Sequence, residues 1–115
     1  ETKMRIDSYN MYTAADDLGI DFDKYKSLMR AFLTENMNEY IENLRQNVVA
    51  NKFDEITFYA HKIAGASANY QTDEITEKAK KIKDAAKERR LIDYRAIISQ
   101  MEEDIKKYKK ICIGV

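Results

Sequence analysis

A chain of 115 residues and 13.5 kDa has room for one compact core, so a single domain over 1–115 is expected. Its 20 Lys plus Arg balance 20 Asp plus Glu, which argues against bulk attraction to nucleic acid or an anionic membrane, and its three glycines and absence of proline argue against an all-β fold. One cysteine, Cys112, and one histidine, His61, make neither an internal disulfide nor a zinc site of nitrogen and sulfur ligands, and they leave catalytic triads poorly supplied.

Met11, Ala14, Ala15 and Leu18 form a short leading helix that Gly19 stops. Asp21 or Asp23 can cap a long second helix, in which Tyr25, Leu28, Met29, Phe32, Leu33, Met37, Tyr40, Ile41, Leu44 and Val48 recur at steps of three and four. The stripe runs for about seven turns before Asn51 and Lys52 relax it. A third helix is expected from a cap at Asp54 to Tyr70 or Gln71, with Ile56, Tyr59, Ala60, Ile63, Ser67 and Tyr70 on one face. Thr72 or Asp73 caps the fourth, with Asp73 and Glu74 in its first turn and Ile75, Ala79, Ile82 and Ala86 inside. Asp93 starts the fifth, whose stripe is Tyr94, Ile97, Ile98, Met101, Ile105, Tyr108 and Cys112, and Ile113 to Val115 are expected to fray. Connections of about two to five residues make consecutive helices antiparallel neighbours. The expected fold is therefore all-α: an antiparallel up-and-down four-helix bundle with a short additional N-terminal helix and a core over about residues 11–112. No heptad register crosses a helix break and no repeat appears, so neither a coiled coil nor a solenoid is supported.

The most informative segment is His61-Lys62-Ile63-Ala64-Gly65-Ala66-Ser67-Ala68-Asn69-Tyr70. With the buried face centred on Ile56, Ile63 and Ser67, His61 lies about 140° away around the helix and Gly65 about 180°. Both are expected to face outward, with Thr57, Ala64 and Ala68 on the same side and Phe58 flanking them. A glycine inside a helix costs about 1 kcal/mol relative to alanine, so something must offset Gly65. One explanation is close helix packing. The other is clearance for a second protein that brings its own groups up to His61.

This segment resembles the active helix of histidine phosphotransfer domains of two-component phosphorelays, as found in hybrid sensor histidine kinases. His61, Ile63, Gly65, Ala66, Ser67 and Ala68 match the pattern of that helix. The resemblance covers roughly residues 11–112, the motif being its specific part. It implies a four-helix bundle with an exposed histidine midway along one helix, and His61 as the residue that takes a phosphoryl group from a receiver-domain aspartate and passes it to another receiver. Ala64 stands where the family often has lysine, and Gln71 where a glycine usually ends the helix. If the turn between the third and fourth helices is centred near residues 71 and 72, Ile82 or Lys83 comes level with His61. Ile82 faces inward, which leaves Lys83 to stabilise a phosphate or to stand as a solvated lysine on a lysine-rich helix. Lys62 is the other phosphate candidate, pointing about 100° around the helix from His61.

Phosphoryl transfer needs in-line positioning and charge stabilisation more than covalent machinery, and an exposed imidazole supplies a neutral nucleophile without a special base. No carboxylate cluster stands beside His61, so no cofactor or metal is expected in this chain and magnesium is expected on the partner receiver. Without a glycine-rich nucleotide loop, no ATP-dependent kinase activity of its own is expected. The docking surface is expected on the exposed side of the second and third helices, at Thr57, Phe58, Ala64, Gly65 and Ala68. Lys78, Lys80, Lys81, Lys83, Lys87, Arg89 and Arg90 make the fourth helix basic, either as a solvated face or as a means of steering toward an acidic receiver. No aromatic platform accompanies these charges, so nucleic-acid binding is not expected. No apolar run approaches the roughly 20 residues that span a bilayer, and no signal peptide is visible. The expected protein is a monomeric, cytoplasmic piece of a larger signalling protein, with response-regulator receivers as partners and no direct membrane contact. The alternative is a helical module that docks receivers without carrying phosphate.

Overall fold

Asn10 opens the first helix, α1 (Met11–Leu18), by accepting a hydrogen bond from the Thr13 N–H at 3.1 Å, and Gly19 closes it in the left-handed conformation (φ 69°). The computed structural model describes Ile6 and residues 9–114. Asp21, rather than Asp23, caps α2 (Phe22–Ala31), accepting from the Lys24 N–H at 3.1 Å. α2 continues through a π-helical segment, Phe32–Asn36, into α3 (Met37–Val49), so the long helix is one rod with a local widening. The cause lies in the spacing of the core residues. Tyr25, Met29, Leu33, Met37 and Ile41 follow one another in steps of four and all are buried. In an uninterrupted α-helix, four such steps would drift about 160° around the axis. The Met37 N–H instead bonds the Phe32 carbonyl, and this i→i+5 turn takes up an extra residue and keeps the stripe on the core.

α4 (Phe53–Asn69) starts one residue before the expected cap. Asp54 therefore sits in its first turn, where a carboxylate favours the positive end of the helix dipole, and Lys52 at the N-cap makes no side-chain bond. Thr72 precedes α5 (Asp73–Lys87), but its hydroxyl donates backwards to the Ser67 carbonyl at 3.1 Å. Asp93 caps α6 (Tyr94–Ile113) as expected, accepting from the Ala96 N–H at 3.0 Å. The expected fraying is not found at Ile113 or Gly114: Ile113 is helical and Gly114 closes the helix (φ 73°), while Val115 lies outside the described residues.

Three interior helix ends turn without glycine. Asn51 (φ 54°), Gln71 (φ 61°) and Arg89 (φ 56°) take the left-handed conformation. After each, the next N–H reaches back to form the longer bond of a left-handed helix cap: Lys52 to Asn47, Thr72 to Ser67 and Arg90 to Ala85. This is how a chain so poor in turn residues makes tight connections. The conformation costs a side-chain-bearing residue about 1–2 kcal/mol, so the cost is carried at three places.

Among the described residues all regular structure is helical. Each long helix packs on the next, α6 returns against α2 and α3, and α4 and α5 pack most closely. Tyr25, Met29, Phe32, Leu33, Ile56, Ile63, Ile75, Ile82, Ile98 and Tyr108 form the fully buried centre. Between α4 and α5 the buried residues are mostly small, with Ser67 and Thr76 hydroxyls joined at 2.7 Å. Lys78 on α5 pairs with the buried Asp104 on α6 at 2.5 Å. No helix among the described residues is long and apolar enough to cross a membrane.

One end of the helices is tied by buried hydroxyls. Tyr9 and Tyr25 are hydrogen-bonded, Tyr25 donates to the Tyr70 carbonyl at 3.0 Å, and the Cys112 thiol reaches Tyr9 at 3.8 Å. Tyr108 donates to Glu74 at 2.6 Å, and the Ile6 N–H donates to the other oxygen of that carboxylate at 2.9 Å. Burial pushes the Tyr25 phenol up to about 12 and raises Tyr9, Tyr108 and the Cys112 thiol as well. Because each folded value lies above its unfolded one, about 8.5 for the thiol and about 10 for the tyrosines, this stability is complete below about pH 8.5 and is lost as pH rises through the folded values.

Two outcomes follow. In an alkaline titration Tyr9, Tyr25 and Tyr108 should ionise only as the helical circular dichroism falls; complete tyrosinate absorbance with the helices intact would contradict the burial. Gln71→Gly should raise the urea unfolding free energy by about 0.5–1 kcal/mol, through relief of the left-handed strain.

Candidate functional site

α4 presses Ile56, Ala60, Ile63, Ala64 and Ser67 into the core and leaves His61 exposed midway along its length. Two contacts mark its register against α5: the buried Ser67–Thr76 hydrogen bond at 2.7 Å, and an exposed pair at 3.3 Å between Asp54 and Arg89, two residues past the end of α5. Residue numbers rise along α4 as they fall along α5. Interpolation between the links puts His61 opposite Ile82 and Lys83, and Thr57 opposite Ala86 and Lys87. Ile82 is buried, so the position beside His61 that is open to solvent belongs to Lys83. Accordingly, His61, Lys83, Lys87, Thr57, Phe58 and Asp54 line one open hollow of about 470 Å³ between the two helices.

The lining is cationic on the α5 side. Among the described residues neither lysine of the hollow, nor His61, has a hydrogen-bond or ion-pair partner. Asp54 brings the one carboxylate, already bonded to Arg89. Thr57 directs its hydroxyl hydrogen to the Phe53 carbonyl at 2.8 Å. No group of His, Cys, Asp or Glu among the described residues could hold a metal ion. The sequence marked Lys87 only as part of the basic fourth helix and Asp54 only as a helix cap, although both carry a signal for the site: Lys87 stands one turn beyond Lys83, and Asp54 two turns before His61.

The remaining expected site residues separate. Gly65 and Ala68 are exposed beside His61, Thr57 is half-buried, and Phe58 is 53 % exposed. Lys62 does not line the hollow; its ammonium stands 5.0 Å from the Phe58 ring centre and 6.0 Å from that of Tyr40, toward the long helix. Ala64, expected on the exposed side, is only 5 % exposed. The reason is that α4 packs on two neighbours, α3 and α5, so its buried face is wider than a single stripe. Around the helix Ala64 lies between Ser67, bonded to α5, and His61, whose hollow α5 completes. The hollow opens between α4 and α5.

The family model of the Hpt domain matches residues 27–110. The chain belongs to the Hpt domain family. No curated protein and no solved structure matches it. Hpt domains serve phosphotransfer in phosphorelays and interact with response-regulator receiver domains. The matched span starts within α2 and ends within α6, so it contains α4, α5 and the whole hollow.

Two departures from the Hpt pattern have a structural account. Gln71 takes the left-handed conformation that a glycine would adopt at the end of α4. Ala64 occupies a buried position against α5, where a lysine would have to leave the interface to reach water. Gly65 is the converse case. A Cβ built there meets nothing within 4 Å, so packing inside the domain does not require glycine. Gly65→Ala should therefore stabilise the isolated Hpt domain by about 1 kcal/mol in denaturant unfolding. Destabilisation would show instead that the glycine serves the packing of the domain itself.

Proposed function

We propose that this Hpt domain is a phosphocarrier in which His61 accepts a phosphoryl group from a receiver aspartate and passes it to another receiver. The observation that carries this reading is the chain's one imidazole, exposed and unpaired in a hollow where Lys83 stands beside it. In the forward step the lone pair of a ring nitrogen forms the P–N bond as the acyl-phosphate P–O bond breaks. The aspartate leaves as carboxylate, and the proton on the other ring nitrogen stays in place. Transfer to the second receiver reverses these bond changes. Lys83 stabilises the phosphoryl oxygens, whose charge is spread in a loose transition state. It supplies from α5 the cation that the family often carries at the position of Ala64. Magnesium belongs to the receiver in this mechanism, since the hollow's one carboxylate is engaged with Arg89.

The docking surface centres on His61, with Gly65 and Ala68 as low relief on one side and Phe58 as an apolar contact on the other. Thr57, half-buried, also lines the hollow. The bundle is read as an antiparallel up-and-down four-helix arrangement, supported by the reversed order of α4 and α5 and by the return of α6 to the long helix. A monomer in a reducing, cytoplasmic setting, within a larger signalling protein, completes the reading.

Incubation with a phosphorylated receiver should place an acid-labile, base-stable label on the wild-type chain and none on His61→Gln. Receiver binding without label would mean a docking module, and neither binding nor label across several receivers would remove both readings. Lys83→Ala should slow transfer about five- to tenfold while changing receiver affinity less; equal rates would eliminate the role given to Lys83.

A further inference from the structure

We infer that Lys87 is a second phosphoryl-binding cation, so that the α4–α5 hollow recognises the dianionic phosphoryl group between two ammonium groups on consecutive turns of α5. This rests on His61 being the phosphoacceptor. The lysines of α5 divide by what surrounds them. Lys78 is committed to Asp104 on α6, and Lys80 and Lys81 are exposed outside the hollow. Lys83 and Lys87 share the hollow with His61, and neither has a partner among the described residues.

The direction of helical side chains decides how each lysine would meet a phosphoryl group. Every Cα–Cβ bond in an α-helix tilts toward the N-terminus of its own helix. On α4 this carries the imidazole of His61 toward the level of Thr57, which is the level of Lys87. On α5, running the other way, it carries Lys87 back toward the level of His61, and Lys83 onward toward Ala79. A phosphoryl group on the ring thus falls between the two lysines, with Lys87 approaching from the side toward which the ring leans. The other walls offer little competition: the Thr57 hydroxyl hydrogen is taken by Phe53, and Asp54 is bonded to Arg89.

Lys87 is also the last residue of α5, where a cation meets the negative end of the helix dipole, so a stability change alone would not distinguish the two roles. The distinguishing readout is the phosphoryl group itself. Potassium phosphoramidate can phosphorylate the wild-type chain, Lys87→Gln and Lys87→Arg without a receiver: its P–N bond breaks, ammonia leaves with the imidazole proton, and the new P–N bond forms on His61. In a phosphorus NMR titration Lys87→Gln should move the protonation midpoint of the phosphohistidine upward by about half a pH unit, and Lys87→Arg should restore it. Transfer from the receiver should slow about five- to tenfold in Lys87→Gln. An unchanged midpoint and rate would overturn the inference, as would lost stability with an unchanged midpoint, and in either case the carrier reading would survive. If neither phosphoramidate nor a receiver phosphorylates His61 in the wild type, the carrier reading falls and this inference falls with it.

Discussion

Helices α4 and α5 meet on small side chains, Ala60, Ala64 and Ser67 from one and Thr76, Ala79 and Ala86 from the other, all buried. Such residues contribute little apolar area each, but they let two backbones come close, and the Ser67–Thr76 hydrogen bond fixes the register at one end. The site depends on this approach. Were α5 held further away, His61 would stand alone on an exposed helix face, with Lys83 and Lys87 on a separate surface. Ala64 connects the packing to the chemistry. Its burial gives up a cation on α4, and in the proposed mechanism the neighbouring helix replaces that cation from across the contact.

Rigidity and accessibility are divided between regions of the molecule. The end that holds Tyr9, Tyr25, Tyr70, Glu74, Tyr108 and Cys112 is bound by buried hydrogen bonds, and the Lys78–Asp104 pair ties α5 to α6. Midway along α4 the side chains around His61 make few such bonds and face water. A rigid scaffold with an unencumbered middle suits a group that must be presented to successive partners. Gly65 fits the same division, since its cost to the helix brings no packing within the domain.

Much of this was legible in the sequence because amphipathic stripes report burial directly. The core residues expected of α6, from Tyr94 to Cys112, are all buried, and the caps at Asp21 and Asp93 form as expected. What was not legible has particular causes. A stripe centred on Ile56, Ile63 and Ser67 describes a helix with one neighbour, whereas α4 has two, and that difference moved Ala64 inside. The π segment is implied by repeated steps of four, but a tolerance for steps of three and four hides it. Asn51, Gln71 and Arg89 turn the chain at positions where glycine is the usual signal. In the site, level-matching across the turn found Lys83, but the place of Lys87 depends on side-chain direction as well as on level.

The central claim is that the phosphoryl group resides on the ring of His61. It is tested most directly by labelling the chain with nitrogen-15, exposing it to a phosphorylated receiver and recording phosphorus–nitrogen coupling by NMR. The account expects one coupling, to a ring nitrogen of His61, which disappears when an unphosphorylated second receiver is added. A phosphorylated chain with no coupling to that imidazole, or a receiver complex in which the phosphoryl group never leaves the aspartate, would contradict it.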